Sequence, residues 1–201
     1  MKADVAQLND WLMRIDTFNA TPGEGTTRAV YTKEFYRARE YLKKEMQDLG
    51  LEIHEDCVGN IYGEYKGRHP ERPPVWTGSH IDTVPHGGRY DGMAGVFAAL
   101  EVIRMMKSDG YQPKRSIFVN AYAGEEMSRF GMCCIGSRAI VGRIHQQDLK
   151  DARNTAGESI FDVLSHDGFK PERFNRDFST KPRVHASLEL HIEQNRILQD
   201  K

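Results

Sequence analysis

Runs of strand length alternate with helical periodicity along the middle of this chain, and this alternation limits the possible folds more than any other feature. Residues 116–122 form a mostly apolar run of the length of a buried strand, and an earlier strand is predicted to begin at residues 75–77 and to end near His80. The segment between them carries apolar residues at helical spacing: Val96, Leu100, Ile103 and Met106. A strand, helix, strand order predicts an α/β fold with a mostly parallel sheet flanked by helices.

Segments on the N-terminal side extend this pattern. Residues 32–50 have the periodicity of an amphipathic helix, with Thr32 as its N-cap. Residues 51–58 and 61–65 then predict two short strands, which a turn at Gly59–Asn60 joins.

The pattern is weaker toward the C-terminus. Helices are predicted from about residue 135 and over residues 159–166, whereas the polar residues 146–158 predict a loop or an insertion. Residues 184–192 alternate apolar and polar side chains, which predicts a strand with one polar face.

The composition excludes several classes of protein. The 201 residues carry 28 Lys and Arg against 29 Asp and Glu, a net charge of -1 that is typical of an ordinary globular domain. Because phosphate contacts need a basic surplus, a nucleic-acid partner is not expected. No apolar stretch approaches the roughly 18 residues of a membrane-spanning helix, and the first residues lack the apolar core of a signal peptide. Three cysteines are too few for a disulfide framework, so we expect reduced thiols and a cytoplasmic location.

Four segments carry side chains that can bind metal or move protons: GSHIDT at 78–83, YDG at 90–92, GEE at 124–126 and LHIEQ at 190–194. His80, Glu125 and His191 each stand where a predicted strand ends. Because ligands of open α/β sheets collect at the carboxyl ends of strands, we expect these three residues to meet in one site.

Two aspartates belong to the same segments. Asp82 follows His80 by two positions, so in an extended strand its carboxylate faces the same side and can orient the imidazole. The alternative is a turn aspartate beside a surface histidine. Asp91 precedes Gly92 at the start of the next helix, where it can cap the helix or bridge two cations.

Glu125 and Glu126 are adjacent, so they point in different directions and can perform different tasks, one binding metal and the other holding a proton. Two carboxylates at a buried strand end repel each other unless a cation or a raised pKa relieves them. A divalent cation is the simplest relief, and the alternative is a solvated pair that opens a helix. His191, the last polar residue of its strand, is either a ligand or part of an exposed edge.

Taken in order, the segments GSHIDTVPHGGRYDGMAGV, GEEMSRFG, GSRAIVG and LELHIEQ resemble the two-metal amidohydrolases. That family includes allantoate amidohydrolase, N-carbamoyl-L-amino acid hydrolase and beta-ureidopropionase, within the aminoacylase and carboxypeptidase-like metallopeptidase superfamily. The resemblance extends to TRAVYTKEFYRARE and CVGNIYG, and so covers nearly the whole chain. It implies a three-layer, zinc-exopeptidase-like catalytic domain.

The resemblance also implies a metal site. His80 and His191 would bind one metal, Glu126 would bind the second, and Asp91 would bridge the two. The implied cofactors are two divalent ions, zinc or manganese, with cobalt and nickel as alternatives.

The remaining roles follow from the same resemblance. Glu125 would be the general base, Asp82 would orient the metal-binding His80, and Gln194 would contact the substrate. The implied reaction is hydrolysis of a non-peptide carbon–nitrogen bond in a small ureido or N-carbamoyl compound.

Two departures from the family are visible. Asn195 stands where the family has glycine after HIEQ. Family members are also longer, and they carry an inserted lid and dimerisation domain and then a further metal-binding histidine. We therefore expect residues 1–201 to be the N-terminal part of the catalytic domain, with one metal retained, no part of the family's homodimer interface and little or no activity.

Two alternatives stay open. One is a non-catalytic remnant that binds at most one metal, and the other is a dipeptidase or aminoacylase of the same superfamily.

Overall fold

The computed structural model describes residues 2–198 and residue 200. Its strands are β1 (Glu52–Glu55), β2 (Ile61–Tyr65), β3 (Val75–His80), β4 (Ile117–Tyr122) and β5 (Ala186–Leu188). Its helices are α1 (Val5–Asp16), α2 (Lys33–Asp48), α3 (Met93–Ser108), α4 (Ile135–Ile140), α5 (Gln146–Asp151), α6 (Ile160–His166) and α7 (Phe174–Asp177), with a 3-10 turn at Pro171–Arg173. None of the helices in the described residues is long and apolar enough to cross a membrane.

The five strands form one sheet in the order β1-β2-β4-β3-β5. β3 pairs in parallel with β4 and with β5, whereas the β1–β2 and β2–β4 pairs are antiparallel. The α/β class is confirmed, and the sheet is mixed rather than mostly parallel. A parallel pair needs a long crossover, and α3 provides one between β3 and β4. The short link between β1 and β2 carries no helix, so that pair is antiparallel. Residues 66–74 reverse the chain between β2 and β3, and because β4 runs parallel to β3, β2 is also antiparallel to β4.

The strand predicted over residues 51–58 forms only as β1, and α1 lies where no element was predicted. Two further segments also differ from the sequence-based prediction. Residues 184–192 form only the short β5, because this edge strand pairs with the first half of β3 alone and all three of its residues are exposed. The predicted loop at residues 146–158 begins with α5, which buries Leu149. The Asp148 carboxylate caps this helix by accepting the His145 N–H at 2.6 Å. A helix of six residues is too short to show periodicity.

Helices cover the sheet unevenly and form three layers with it. On one side α3 lies against β3 and β4, α2 lies against β1 and β2, and α1 contacts both helices. The Trp11 and Phe97 rings, whose centroids lie 5.5 Å apart, stack between α1 and α3. On the other side Ile140 of α4 and Phe178 line a cavity of about 310 Å³ with Trp76 of the sheet.

A glycine in α3 brings the chain that follows β5 close to the end of β3. A Cβ at Gly95 would lie 2.2 Å from the Leu190 carbonyl oxygen and 3.0 Å from Ser79 Cβ. Any side chain there would push the strand end away from the helix, so the absence of one lets His191 reach the neighbourhood of His80.

Candidate metal centre

Three ligand-type atoms converge at the carboxyl end of β3. His80 Nε2 lies 3.0 Å from His191 Nε2. Asp91 Oδ1 lies 3.5 Å from His80 Nε2 and 3.3 Å from His191 Nε2. Two nitrogen ligands of one tetrahedral zinc ion, at bond lengths near 2.0–2.1 Å, stand about 3.3 Å apart. The triangle therefore has the dimensions of one face of a single-ion site.

The side-chain atoms of this triangle lack the hydrogen-bond partners they need, and a divalent cation would supply what is missing. Asp91 Oδ1 is buried and accepts no hydrogen bond from any residue that the structure describes, although buried carboxylate oxygens normally have a partner. Two imidazole nitrogens that face each other at 3.0 Å also need a proton or a cation between them. Imidazole and carboxylate together form a donor set suited to zinc, manganese, cobalt or nickel.

The His80 ring is held by the backbone around it. The chain beyond β3 turns so that His80 Nδ1 lies 2.8 Å from the Asp82 backbone carbonyl oxygen. A carbonyl partner assigns the proton to Nδ1 and leaves Nε2 free to bind metal. Gly92, with a φ of 63°, lies directly beside the ring, and a Cβ there would come within 2.6 Å of His80 Nδ1.

The Asp82 side chain does something other than orient the imidazole. Its Oδ1 accepts the N–H groups of Gly124 and Glu125 at 2.9 and 3.1 Å, and its Oδ2 accepts that of Glu126 at 2.9 Å. The prediction assumed that the extended path continues beyond His80, but β3 ends at that residue. Asp82 therefore orients His80 through its carbonyl group and holds the turn of the two glutamates through its carboxylate.

The glutamate turn is also held by hydrogen bonds from two other elements. Asn60 Oδ1 accepts the Ala123 N–H at 2.9 Å. The carbonyl groups of residues 123–125 accept N–H groups from residues 134–136 at the start of α4. Backbone movement of Glu125 and Glu126 relative to His80 is consequently restricted from three directions.

The two glutamates do point to different partners. Glu125 Oε2 lies 3.9 Å from His80 Nε2, and Glu125 Oε1 accepts the Cys134 thiol at 3.7 Å. Glu126 Oε1 instead accepts the Gln194 amide at 2.9 Å. Burial raises the pKa of Glu126; the Gln194 hydrogen bond opposes this shift, and the charges of Asp91 and Glu125 add to it.

Gln194 joins the two carboxylates of the centre. Its Nε2 donates to Asp91 Oδ2 at 2.7 Å as well as to Glu126 Oε1. Asp91 thus presents one oxygen to the two histidines and the other to Gln194.

The negative charge of the centre exceeds its positive charge. Burial by itself lowers the pKa of His80, but its ion pair with Asp91 and the charges of Asp82 and Glu125 raise that pKa to about 9. His80 also holds the pKa of Asp91 below its usual value, although burial acts in the opposite direction. Four carboxylates near two imidazoles attract cations.

Two buried residues behind the centre were not predicted as site residues. Arg28 donates to the carbonyl oxygen of Ile81 at 2.8 Å and to those of Ile15 and Phe18 at 3.2 and 3.3 Å. Burial lowers the pKa of Arg28 to about 10. The sequence predicts Asn60 only as part of a turn. Both lie in segments that the resemblance covers, but no spacing rule links them to the metal-binding motifs.

Comparison with known proteins identifies relatives along almost the whole chain. The family model for peptidase family M28 matches residues 60–197. The chain is 42% identical to a ureidoglycolate hydrolase of Oryza sativa subsp. japonica, over 91% of this chain and 38% of the relative. It is 36% identical to an allantoate amidohydrolase of Bacillus subtilis, over 99% of this chain and 47% of the relative. An N-carbamoyl-L-amino acid amidohydrolase of Geobacillus stearothermophilus is 35% identical over 94% of this chain and 46% of the relative.

Solved structures agree with these matches. AtUAH in complex with glyoxylate superposes with a TM-score of 0.91 at 36% identity, covering 100% of this chain and 48% of that one. A hydantoinase/carbamoylase family amidase from Burkholderia ambifaria superposes with a TM-score of 0.87 at 30% identity, covering 99% and 48%. The chain spans about half the length of the relatives it matches, or somewhat less.

Proposed function

The chain belongs to peptidase family M28, and from its site and its amidohydrolase relatives we propose that it is the metal-binding part of a hydrolase that cleaves non-peptide carbon–nitrogen bonds in ureido or N-carbamoyl compounds. The observation that carries this proposal is the triangle of His80, Asp91 and His191 beside the glutamate turn. It combines a cation-binding donor set with a carboxylate, Glu125, that is left over for proton transfer.

The names of the relatives support ureido substrates over peptides. Ureidoglycolate, allantoate and N-carbamoyl amino acids all contain a ureido group, in which the attacked carbon is bonded to two nitrogens. The proposed substrate class is therefore a small anionic molecule with a ureido group.

We assign the metal ligands on the basis of the distances. His80, His191 and Asp91 Oδ1 would hold one divalent cation, and Asp91 Oδ2 with Glu126 would hold a second. Bound there, such cations polarise a carbonyl oxygen and lower the pKa of water. Zinc and manganese are the ions we favour, with cobalt and nickel as alternatives.

Glu125 is the proposed general base. Its side chain is 39% exposed and lies 3.9 Å from His80, so it borders the centre and remains open to water. In the proposed reaction Glu125 removes a proton from the attacking water, whose oxygen bonds to the ureido carbon. As the carbon–nitrogen bond breaks, Glu125 returns that proton to the leaving nitrogen.

Asp82 and Gln194 support this chemistry in the proposal. Asp82 keeps Glu125 and Glu126 in place through their backbone N–H groups. The Gln194 amide, at the open side of the centre, can hydrogen bond to a ureido oxygen or a substrate carboxylate.

The cellular setting is also a proposal. The near-zero net charge supports a small-molecule substrate without nucleic-acid or membrane partners, and the odd number of cysteines supports a cytoplasmic location. A homodimer is proposed from the resemblance alone.

A second candidate function is a dipeptidase or aminoacylase, which the name of the matching peptidase family favours. A third is metal binding without turnover. Both can be separated from the first by an assay.

The test compares substrates and a glutamate variant. The complete gene product, loaded with Mn²⁺ or Zn²⁺, is assayed for ammonia release from ureidoglycolate, allantoate and N-carbamoyl-L-amino acids, and for hydrolysis of dipeptides. We expect turnover of a ureido compound, which Glu125→Gln abolishes without loss of metal. Hydrolysis of dipeptides alone would establish the second candidate, and metal binding with no turnover of either class would establish the third. Loss of metal in Glu125→Gln would mean that Glu125 binds the metal and Glu126 is the general base.

A further inference from the structure

We propose that Gln194 determines how many cations the centre holds, because its side-chain amide competes with the second cation for Asp91 and Glu126. The inference rests on the proposed function, in which these two carboxylates bind that cation. It assigns Gln194 a role that precedes any contact with substrate.

The competition follows from the atoms that the amide uses. Gln194 Nε2 lies 2.7 Å from Asp91 Oδ2 and 2.9 Å from Glu126 Oε1, so both of its hydrogens are engaged. These are the oxygens left for a second cation once Asp91 Oδ1 faces the two histidines. An amide nitrogen between two carboxylate oxygens and a metal ion bound to the same two oxygens cannot share that position.

The two carboxylates are fixed, whereas Gln194 is not. Asp91 is buried and precedes α3, and Glu126 is anchored through its N–H to Asp82. Among the described residues, by contrast, no backbone hydrogen bond joins residues 190–195 to the sheet or the helices, and the stretch is tied to β3 before that by the Ser79 hydroxyl, which donates to the Glu189 carboxylate at 2.6 Å. The Gln194 side chain is exposed. Entry of a cation is therefore expected to move Gln194 and leave the carboxylates in place.

Charge gives the cation its advantage over the amide. The neutral amide satisfies hydrogen-bonding capacity but leaves the negative charges of Asp91, Glu125 and Glu126 close together. A divalent cation offsets those charges. The exchange thus replaces two hydrogen bonds by two ionic bonds, and the lost hydrogen bonds weaken the apparent affinity for the second cation on the order of tenfold or more.

The exchange also couples metal loading to substrate binding. While Gln194 spans the two carboxylates, its amide hydrogens are unavailable to a ureido oxygen. Once the second cation has replaced it, the amide is released at the open side of the centre. Gln194 then becomes available to substrate only when the centre is fully loaded.

The test is a cation titration of the chain freed of metal, with Zn²⁺ or Co²⁺ as the only added ligand, followed by calorimetry and by Co²⁺ absorption. The wild-type chain is expected to bind one cation tightly and a second weakly. Gln194→Ala is expected to bind the second cation at least about tenfold more tightly, with the first affinity unchanged, and Gln194→Glu to bind it more tightly still because a carboxylate replaces the amide. Gln147→Ala is the matched control, because Gln147 makes a similar amide bond of 2.9 Å to Asp151 on α5, remote in sequence from every metal-binding motif.

The outcomes distinguish failure of the Gln194 competition from failure of the proposed function. If Gln194→Ala binds the second cation no better than wild type, or binds no second cation at any concentration, Gln194 does not compete and this inference is overturned. If neither the variants nor the wild type bind even the first cation, both the proposed function and the inference about Gln194 are overturned.

Discussion

His80 Nε2 and His191 Nε2 lie 3.0 Å apart although the two residues are 111 positions apart in the sequence. Each ring has its other nitrogen beside a backbone carbonyl oxygen, that of Asp82 for His80 and that of Ile192 for His191, both at 2.8 Å. The rings are stacked at an interplanar angle of 26°, with centroids 5.3 Å apart. Both imidazoles therefore present their free nitrogens to one point.

Replacing His191 tests whether that point is a metal site. His191→Ala is expected to weaken binding of the first Zn²⁺ by at least about 100-fold, because a nitrogen ligand is lost while the fold keeps its core. Titration calorimetry measures the change. His185→Ala is the control, since His185 precedes β5 and is also exposed. Equal affinities in the two variants would remove His191 from the ligand set.

Replacing Asp82 tests its role as the anchor of the glutamate turn. Asp82→Asn puts an NH₂ group against backbone N–H donors, so the free energy of unfolding is expected to fall by about 3 kcal/mol. Urea denaturation measures this. Asp10→Asn, an isosteric change at an exposed position of α1, is expected to leave stability nearly unchanged. A loss below about 1 kcal/mol at Asp82 would mean that the three hydrogen bonds matter little.

Replacing Asn60 tests the second anchor of the turn. Asn60 Nδ2 donates to Asp56 Oδ2 at 2.7 Å while its Oδ1 accepts the Ala123 N–H. Asn60→Ala therefore leaves the buried Ala123 N–H without an acceptor and removes one of the two donors to Asp56 Oδ2, which keeps the Tyr62 hydroxyl at 2.7 Å. We expect a loss of about 2–3 kcal/mol in the free energy of unfolding. Asn120→Ala removes an equally buried amide whose Oδ1 accepts nothing from the described residues, and it should cost less. Equal losses in urea denaturation would contradict the anchoring role.

The contact between α1 and α3 predicts a pH dependence. The Glu101 carboxylate accepts the Arg104 guanidinium at 2.6 Å and the Asp4 N–H at 2.6 Å. Arg104 holds the pKa of Glu101 below its usual value of 4.5, although burial opposes the shift and the Asp4 N–H adds to it. A lowered pKa in the folded state means that the stabilisation is complete above 4.5 and is lost as the pH falls through the folded-state pKa.

Glu101→Gln is therefore expected to lower the free energy of unfolding by about 1 kcal/mol at pH 7. The difference from wild type should shrink as the medium is acidified to pH 3, because the wild-type carboxyl is then protonated as well. Thermal unfolding at both pH values measures this. A difference that stays constant with pH would show that the charge of Glu101 is not what matters.

Caps and hydrophobic periodicity in the sequence predicted helices and strands correctly where the packing of the folded chain favours the same structure. Thr32 caps α2 as predicted, with its hydroxyl oxygen accepting the Phe35 N–H at 3.4 Å, and β2 covers the predicted residues 61–65. β5 is shorter than its alternating pattern indicates, because the chain leaves the sheet after pairing with residues 75–77, although β3 continues to His80. α5 was missed because it buries a single side chain.

The candidate site was predictable to the extent that topology brings strand ends together. His80, Asp91, Glu126 and His191 are close in space because their segments meet at one edge of the sheet. The task of the Asp82 carboxylate was not predictable, since it depends on where β3 stops, and Asn60 was not predictable because a turn residue reveals nothing about the segment that packs on it.

Because residues 189–195 are held by few contacts, ion binding is expected to attach this stretch more firmly to the rest of the fold. Besides the side-chain hydrogen bonds of Glu189 and Gln194, this stretch is held by the three paired residues of β5 and by the close approach of Leu190 to Gly95. An ion bound by both His80 and His191 would link two positions 111 apart in the sequence and so act as a reversible cross-link. The melting temperature of the chain and the hydrogen-exchange protection of residues 184–195 would then rise together with the concentration of free ion.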